Sequence, residues 1–275
     1  MFFKNKNNIK LVIFYAGVFI FSFAAATVSF NRRAVTAMGQ GGEKGCVAIV
    51  IDDFGYGGEG TEEMLALDIP LTCALMPFSK ESAEDAEKIR AAGKDMIIHM
   101  PMESTTGKKS WVGDKGLFLN MTDDEIRMRL EEAFDAAEGA VGLNNHMGSA
   151  IMEDERCLSI VMDEVKKRDM LFLDSRTTPD SKAEELSKKF GTCLLGRDVF
   201  LDSTDDIEVV KDRLRQAAAI AEKNGAAIAI GHVGPEGGMV TVDAIKELKE
   251  EIEGMGIKFV TISEMKNIQC GSSEG

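Results

Sequence analysis

Two adjacent carboxylates, Asp52 and Asp53, close the apolar run Cys46-Val-Ala-Ile-Val-Ile51. Ionised carboxylates side by side repel each other unless a positive charge stands near. A divalent cation meets that need, and it leaves one Asp to bind while the other works as a base. The chain has only three histidines, and each comes at or just after the end of an expected strand. His99 stands in Ile97-Ile-His-Met-Pro-Met-Glu103, His146 in Leu143-Asn-Asn-His-Met-Gly-Ser149, and His232 in Ile230-Gly-His-Val-Gly-Pro-Glu236. Asp174 ends a further run, Met170–Leu173, opens Asp-Ser-Arg176, and is a third catalytic candidate beside Asp52 and His232. A lone histidine is commonly structural. Three of three at strand ends, together with a double Asp, point to one metal centre.

Imidazole and carboxylate ligands with an open position suit zinc or a similar divalent ion. Such an ion polarises a carbonyl and lowers the pKa of a water. A carboxylate then takes a proton and an imidazole supplies one to the leaving group. That set fits hydrolysis of an amide or ester. Asn145 and Arg176 are candidates to orient substrate oxygens. No GxSxG elbow offers a serine nucleophile, and no CxxC pair offers a thiolate zinc site.

Eight strands are expected to carry these groups, ending near Ile51, Met76, Met100, Leu143, Leu173, Leu195, Ile230 and Val260. Helices interleave with them. Thr122-Asp-Asp-Glu125 and Ser181–Glu184 read as capping boxes, and Ser79, Thr241 and Thr261 as helix starts. Strands alternating with helices pair in parallel and form a barrel or a doubly wound sheet. In a parallel barrel every strand end named above lies on one rim. The Gly- and Lys-rich stretch from Ser104 to Leu119, with the only tryptophan, reads as a long loop over that rim.

Gly55, Gly57 and Gly60 form a GxGxxG between a strand and a helix, the spacing of a dinucleotide fingerprint. Two features speak against that reading. Asp52 and Asp53 would face a pyrophosphate with the wrong charge, and the next strand ends in Met-Pro-Phe, without the acid that holds a ribose. The glycines are expected to form a tight loop beside the metal.

The chain has 275 residues and a formal charge of −14, which disfavours nucleic acid and suits a neutral or amine-bearing substrate. Residues 1–30 combine Lys4, Lys6 and Lys10 with an uncharged run from Leu11, and read as a signal peptide or a membrane anchor. Either sends the remainder out of the cytoplasm, to the periplasm or cell envelope, with membrane contact only through this segment. Residues 31–44 read as a linker, and 45–270 as the folded domain. Cys46, Cys73 and Cys193 fall in expected strands and read as small buried residues. Export permits a disulfide among the five cysteines, with no pair singled out.

Taken together, Ile51-Asp-Asp-Phe-Gly55, His99-Met-Pro-Met-Glu103, Asn144-Asn-His-Met-Gly-Ser149, Leu173-Asp-Ser-Arg-Thr177 and Ile230-Gly-His232 resemble the divergent polysaccharide deacetylases, from about Val47 to Asn267. The resemblance implies an α/β fold, a distorted (β/α)7-type barrel. It implies a hydrolase that takes acetyl groups from an envelope or extracellular carbohydrate, or a barrel that binds metal and glycan without turnover. It assigns the base to Asp52, the acid to His232, and the ligands to Asp53, His99 and His146. Glu103 stands where ordinary members carry a second histidine, and is a fourth ligand or a partner of the ligands. Asn145, Ser149 and Arg176 complete the expected substrate-side set.

Overall fold

The computed structural model describes residues 43–271 other than Glu236; the expected leader and nearly all of the linker lie outside the described residues. In chain order the elements are β1 (Gly45–Phe54), α1 (Thr61–Leu65), β2 (Thr72–Leu75), α2 (Ser82–Ala91), β3 (Asp95–Met102), α3 (Lys109–Val112), α4 (Asp123–Ala136), β4 (Gly142–Met147) and α5 (Ser149–Glu153). Then follow α6 (Glu155–Lys167), β5 (Leu171–Asp174), α7 (Ala183–Phe190), β6 (Cys193–Gly196), β7 (Val199–Phe200), α8 (Ile207–Asn224), β8 (Ala226–His232), α9 (Met239–Gly254), β9 (Ile257–Val260) and α10 (Ile262–Cys270).

All strand pairs are parallel, in the order β6-β5-β4-β3-β2-β1-β8-β7, with β9 beside the first half of β1. The stretch from Cys193 to Phe200 closes the circle. It pairs with β5 through β6 and then with β8 through β7, and the two residues between them bridge both sides. Arg197 N donates to Asp174 O at 3.0 Å and Asp198 N donates to Ile228 O at 2.8 Å. β6 and β7 therefore fill one position, and the sheet curls into a distorted seven-position barrel. The short β7 is absent from the eight expected strands because two residues carry no readable alternation.

Strand alternation sorts the core into two layers. Cys46, Ala48, Val50, Ala74, Ile97, Leu171, Leu173, Leu195, Ile228 and Ile230 point inward and pack together, and Ile262 and Met265 of α10 join that cluster. Val47, Ile49, Ile51, Cys73, Ile98, Leu143 and Phe172 point outward, beneath the helices. Amphipathic helices cover that layer; α4, for example, buries Ile126, Leu130 and Phe134 behind its Thr122–Glu125 capping box. The box at Thr261–Glu264 likewise starts α10.

Other expected starts shift for local reasons. α2 begins at Ser82, not near Ser79, because Ser82 Oγ turns back to Met76 O. No box forms at Ser181, whose hydroxyl donates to Asp174 Oδ2 at 2.8 Å, and α7 begins at Ala183. Thr241 lies inside α9 and donates its hydroxyl to Asp202.

Cys193, expected as a small buried residue, is half-buried and bonded to Cys270. This disulfide ties the end of α10 to β6, while Cys46, Cys73 and Cys157 are free and buried. The bond spans 77 residues of chain, so removing it frees a long loop in the unfolded state. Cys270→Ser is expected to lower unfolding free energy by about 2–4 kcal/mol. Urea titration of oxidised protein checks this, and a reductant should erase most of the difference.

Candidate metal centre and acid–base pair

A strand turns successive side chains to opposite faces, so two neighbouring aspartates do not ordinarily share a barrel mouth. β1 solves this with an irregularity. Its register with β2 shifts between Ile51 and Phe54, and Asp53 is left-handed at φ 70°. Asp52 keeps the inward parity of Val50, and the kink turns Asp53 into the same mouth. Such backbone at a non-glycine residue costs about 1–3 kcal/mol. Among the described residues only Asp53, Met147, Asp169 and Arg176 are non-glycine with positive φ. Three of the four stand at or beside the ends of β1, β4 and β5, so the strain concentrates at the rim.

The rim gathers Asp53, His99 and His146, whose candidate ligand atoms all lie within 4.8 Å of one another. Asp53 Oδ1 is 3.5 Å from His99 Nε2 and 3.5 Å from His146 Nδ1, and the two imidazole nitrogens are 3.0 Å apart. His99 is buried and His146 and Asp53 are half-buried.

The tautomer of His99 follows from its neighbours. Asn144 Nδ2 donates to Asp52 Oδ1 at 2.9 Å, which fixes the amide with its oxygen toward His99 Nδ1 at 2.8 Å. Nδ1 therefore carries the proton, and Nε2 turns a lone pair toward Asp53 and His146. Burial pulls the His99 pKa down despite the nearby charge of Asp52, which keeps the ring neutral. For Asp53 burial works the other way, toward the neutral acid. His146 and His99 outweigh it and hold the carboxyl down at about 2. Even so, Asp53 Oδ1 is a buried oxygen without a hydrogen-bond partner. An orphaned buried carboxylate oxygen is costly unless something binds it. One carboxylate and two imidazole nitrogens gathered this closely fit a divalent cation such as zinc, which would replace the hydrogen bond between His146 Nδ1 and His99 Nε2.

Asp52 and His232 sit directly opposite each other on adjacent strands β1 and β8. Both are buried. His232 Nδ1 lies 2.8 Å from Asp202 Oδ1, whose second oxygen accepts from His232 N at 2.6 Å and Thr241 Oγ1 at 2.7 Å. Burial lowers the pKa of His232, but the Asp202 hydrogen bond and the charge of Asp52 outweigh it, raising the pKa to about 9. Asp202 is 1 % exposed, and a Cβ at Gly237 would collide with its carboxylate. That glycine makes room for the partner of His232.

The remaining expected residues lie outside this group. Asp174 follows the inward Leu171 and Leu173 and so takes the opposite parity. Its oxygens accept from Arg176 N at 2.7 Å and Ser181 Oγ at 2.8 Å, within its own loop. Asn145 shares the outward parity of Leu143. It accepts from Ser175 N and donates to Met147 O, binding the ends of β4 and β5 together. Glu103 Oε2 accepts from Leu119 N at 2.7 Å, and Ser149 Oγ accepts from Thr105 N at 2.9 Å. Both fasten the 104–119 loop. The Arg176 side chain is 49 % exposed, with Nη1 3.7 Å from Asp198 Oδ1. Sequence reasoning missed Asn144 as the link between Asp52 and His99, and Asp202 as the partner of His232.

The glycine motif of the first loop has a mechanical use. Gly234 N donates to Glu59 O at 2.8 Å, and a Cβ at Gly58 would lie 2.7 Å from Gly234 Cα. The loops after β1 and β8 thus press backbone to backbone, which keeps the Asp pair beside His232.

A parallel barrel with these groups at the carboxyl ends of its strands defines a class, and comparison gives the family. Residues 49–266 match the divergent polysaccharide deacetylases, and the chain belongs to that family. An uncharacterized protein of Haemophilus influenzae is 33 % identical over 211 residues, covering 77 % of this chain and 75 % of that one. The crystal structure of the uncharacterized protein ATU2773 from Agrobacterium tumefaciens is similar with a TM-score of 0.73 and 23 % identity, over 83 % of this chain and 92 % of that one. The Bc1960 peptidoglycan N-acetylglucosamine deacetylase shares the fold, with a TM-score of 0.50 and 11 % identity over 81 % and 88 % of the two chains.

Proposed function

We propose that the protein is a metal-dependent hydrolase that removes acetyl groups from an N-acetylated carbohydrate outside the cytoplasm. The observation that carries this is the meeting of Asp53, His99 and His146 beside the facing pair Asp52 and His232. A divalent metal, zinc by preference, held by those three side chains would supply Lewis acidity and a water of lowered pKa.

The chain's own residues do the proton work. Asp52 takes a proton from the attacking water as it adds to the acetyl carbonyl. His232 is protonated at neutral pH and holds one N–H on Asp202, which leaves Nε2–H to give its proton to the departing nitrogen. The C–N bond breaks, and acetate and a free amine leave. Asn144 keeps Asp52 and His99 in fixed relation throughout. The basic, apolar leader and the Cys193–Cys270 bond support an exported, periplasmic or envelope location, with a carbohydrate as partner.

Acetate release from N-acetylglucosamine oligosaccharides by the zinc-loaded chain tests the reading. Acetate is expected with the wild type and lost in His232→Asn. Binding of these sugars without any product, in wild type as in variant, would leave the non-hydrolytic glycan-binding barrel as the better account.

A pH effect follows from His232. The acid form is present below its pKa and vanishes above it, so the rate should fall as pH rises through about 9. Asp202→Asn removes the main raising partner. The alkaline limb of kcat/KM should then move down by about one to three pH units. The same group links to stability. Its folded pKa lies above the ordinary value of 6.5, so its contribution is complete below pH 6.5 and lost as pH rises through about 9. A pH–rate profile of both proteins checks the direction, and an unmoved alkaline limb would contradict the assignment.

A further inference from the structure

We propose that Trp111 is a stacking platform for a sugar ring of the polysaccharide chain, one position removed from the unit held at the metal centre. This rests on the carbohydrate reading above and adds where the chain lies.

The loop from Ser104 to Leu119 is not loose. Ser149 Oγ holds Thr105 N and pairs with Ser104 Oγ at 2.7 Å, while Glu103 holds Leu119 N. Val112, Leu117 and Phe118 anchor it in the core at 4 %, 1 % and 7 % exposure. Beside the buried Val112, Trp111 stands 57 % exposed. Its ring lies near the end of β4, the strand that carries His146. Gly107 approaches both the ring and Met147, the residue after His146. A Cβ there would lie 2.8 Å from Met147 Cε and 3.2 Å from ring atoms Cε3 and Cζ3. The indole therefore lies close to the residue after a candidate ligand, and Trp111 still meets solvent.

The distribution of exposed apolar groups supports a binding role. Among the described residues the large exposed hydrophobics are Tyr56, Trp111, Leu119 and Met128. Three of the four rise from the loops after β1 and β3, the strands that deliver Asp53 and His99. Scattered exposure needs no explanation, but exposure gathered at a polar mouth does. The ligand chemistry follows from what surrounds the ring. Lys108 Nζ lies 5.8 Å from its centroid, while Lys109 sits over the Phe118 ring and Lys115 over Phe78. Within 104–119 these three lysines face a single acid, Asp114, on a chain of formal charge −14. A partly exposed aromatic plane with the Lys108 ammonium beside it matches a pyranose, which offers a C–H face and a ring of hydroxyl and carbonyl oxygens.

Trp111 is the only tryptophan of the chain, so its emission reports this site alone. The full-length, zinc-loaded protein is titrated with N-acetylglucosamine oligomers of one to six units, and acetate release is followed in parallel. A saturable blue shift is expected with the longer oligomers and not with the monomer. Trp111→Ala should raise KM for those oligomers by about three- to ten-fold with kcat held, and Trp111→Phe should recover most of the loss. Acetate release with unshifted emission, or equal KM in Trp111→Ala at every length, overturns the platform and leaves the deacetylase reading standing. No shift with any oligomer also overturns it. A saturable shift with no acetate keeps the platform and defeats the deacetylase reading.

Discussion

Asp52→Asn is expected to cut acetate release by about 10²- to 10⁴-fold while the protein keeps its metal, the range that loss of a positioned general base produces. The substitution changes little but the proton chemistry. Asp52 is 2 % exposed and its Oδ1 accepts from Asn144 Nδ2, a bond that an amide oxygen at the same place keeps. Its Oδ2 stands 3.6 Å from His99 Nε2, beside the ligand group but outside the compact trio. Elemental analysis and steady-state rates on the same preparation separate the roles of the two neighbours. Full metal content with lost turnover makes Asp52 the base. Loss of both would make it a ligand, and full turnover would remove it from the chemistry.

The second large effect concerns His99→Ala. This change removes one of the two imidazole lone pairs and leaves Asp53 with a single imidazole partner. Zinc content is expected to fall from one equivalent to near zero, with activity lost in step. Metal that binds only the folded state stabilises it by about 2.7 kcal/mol at a hundred-fold excess over the dissociation constant. The wild type should therefore melt higher with zinc than after chelation, and the variant should show no such difference. The apo variant will itself be somewhat destabilised, because Asn144 loses the ring that satisfies its oxygen. The decisive quantity is the zinc-dependent shift within each protein, not the difference between them.

Much of this site can be read before folding, and the misses have two physical causes, strand parity and contacts between distant parts of the chain. Strand ends, a double Asp and three histidines are visible in the chain, and parallel pairing puts strand ends on one rim. Which side chain enters the mouth depends on parity. Val50, Ile97, Leu173 and Ile230 face inward, which sends Asp52, His99 and His232 in after them and turns Asp174 away. The same alternation favours Asn144 over Asn145, because Leu143 faces the helices. Asp53 obeys no parity at all; its left-handed backbone is a tertiary decision that no local pattern announces. Asp202 was hidden for another reason. It follows a two-residue strand, and its value lies in meeting His232 across 30 residues of chain. The Cys193–Cys270 pairing is hidden in the same way, because proximity of β6 and α10 exists only in the closed barrel.

The central claim is that one cation joins Asp53, His99 and His146. A crystal of the zinc-loaded protein, with anomalous data collected on both sides of the zinc edge, tests it most directly. The account predicts a single zinc peak about 2.0–2.2 Å from Asp53 Oδ1, His99 Nε2 and His146 Nδ1, with at least one position open to solvent. A fully loaded crystal with its zinc elsewhere, and these three side chains bonded only to one another, would contradict it.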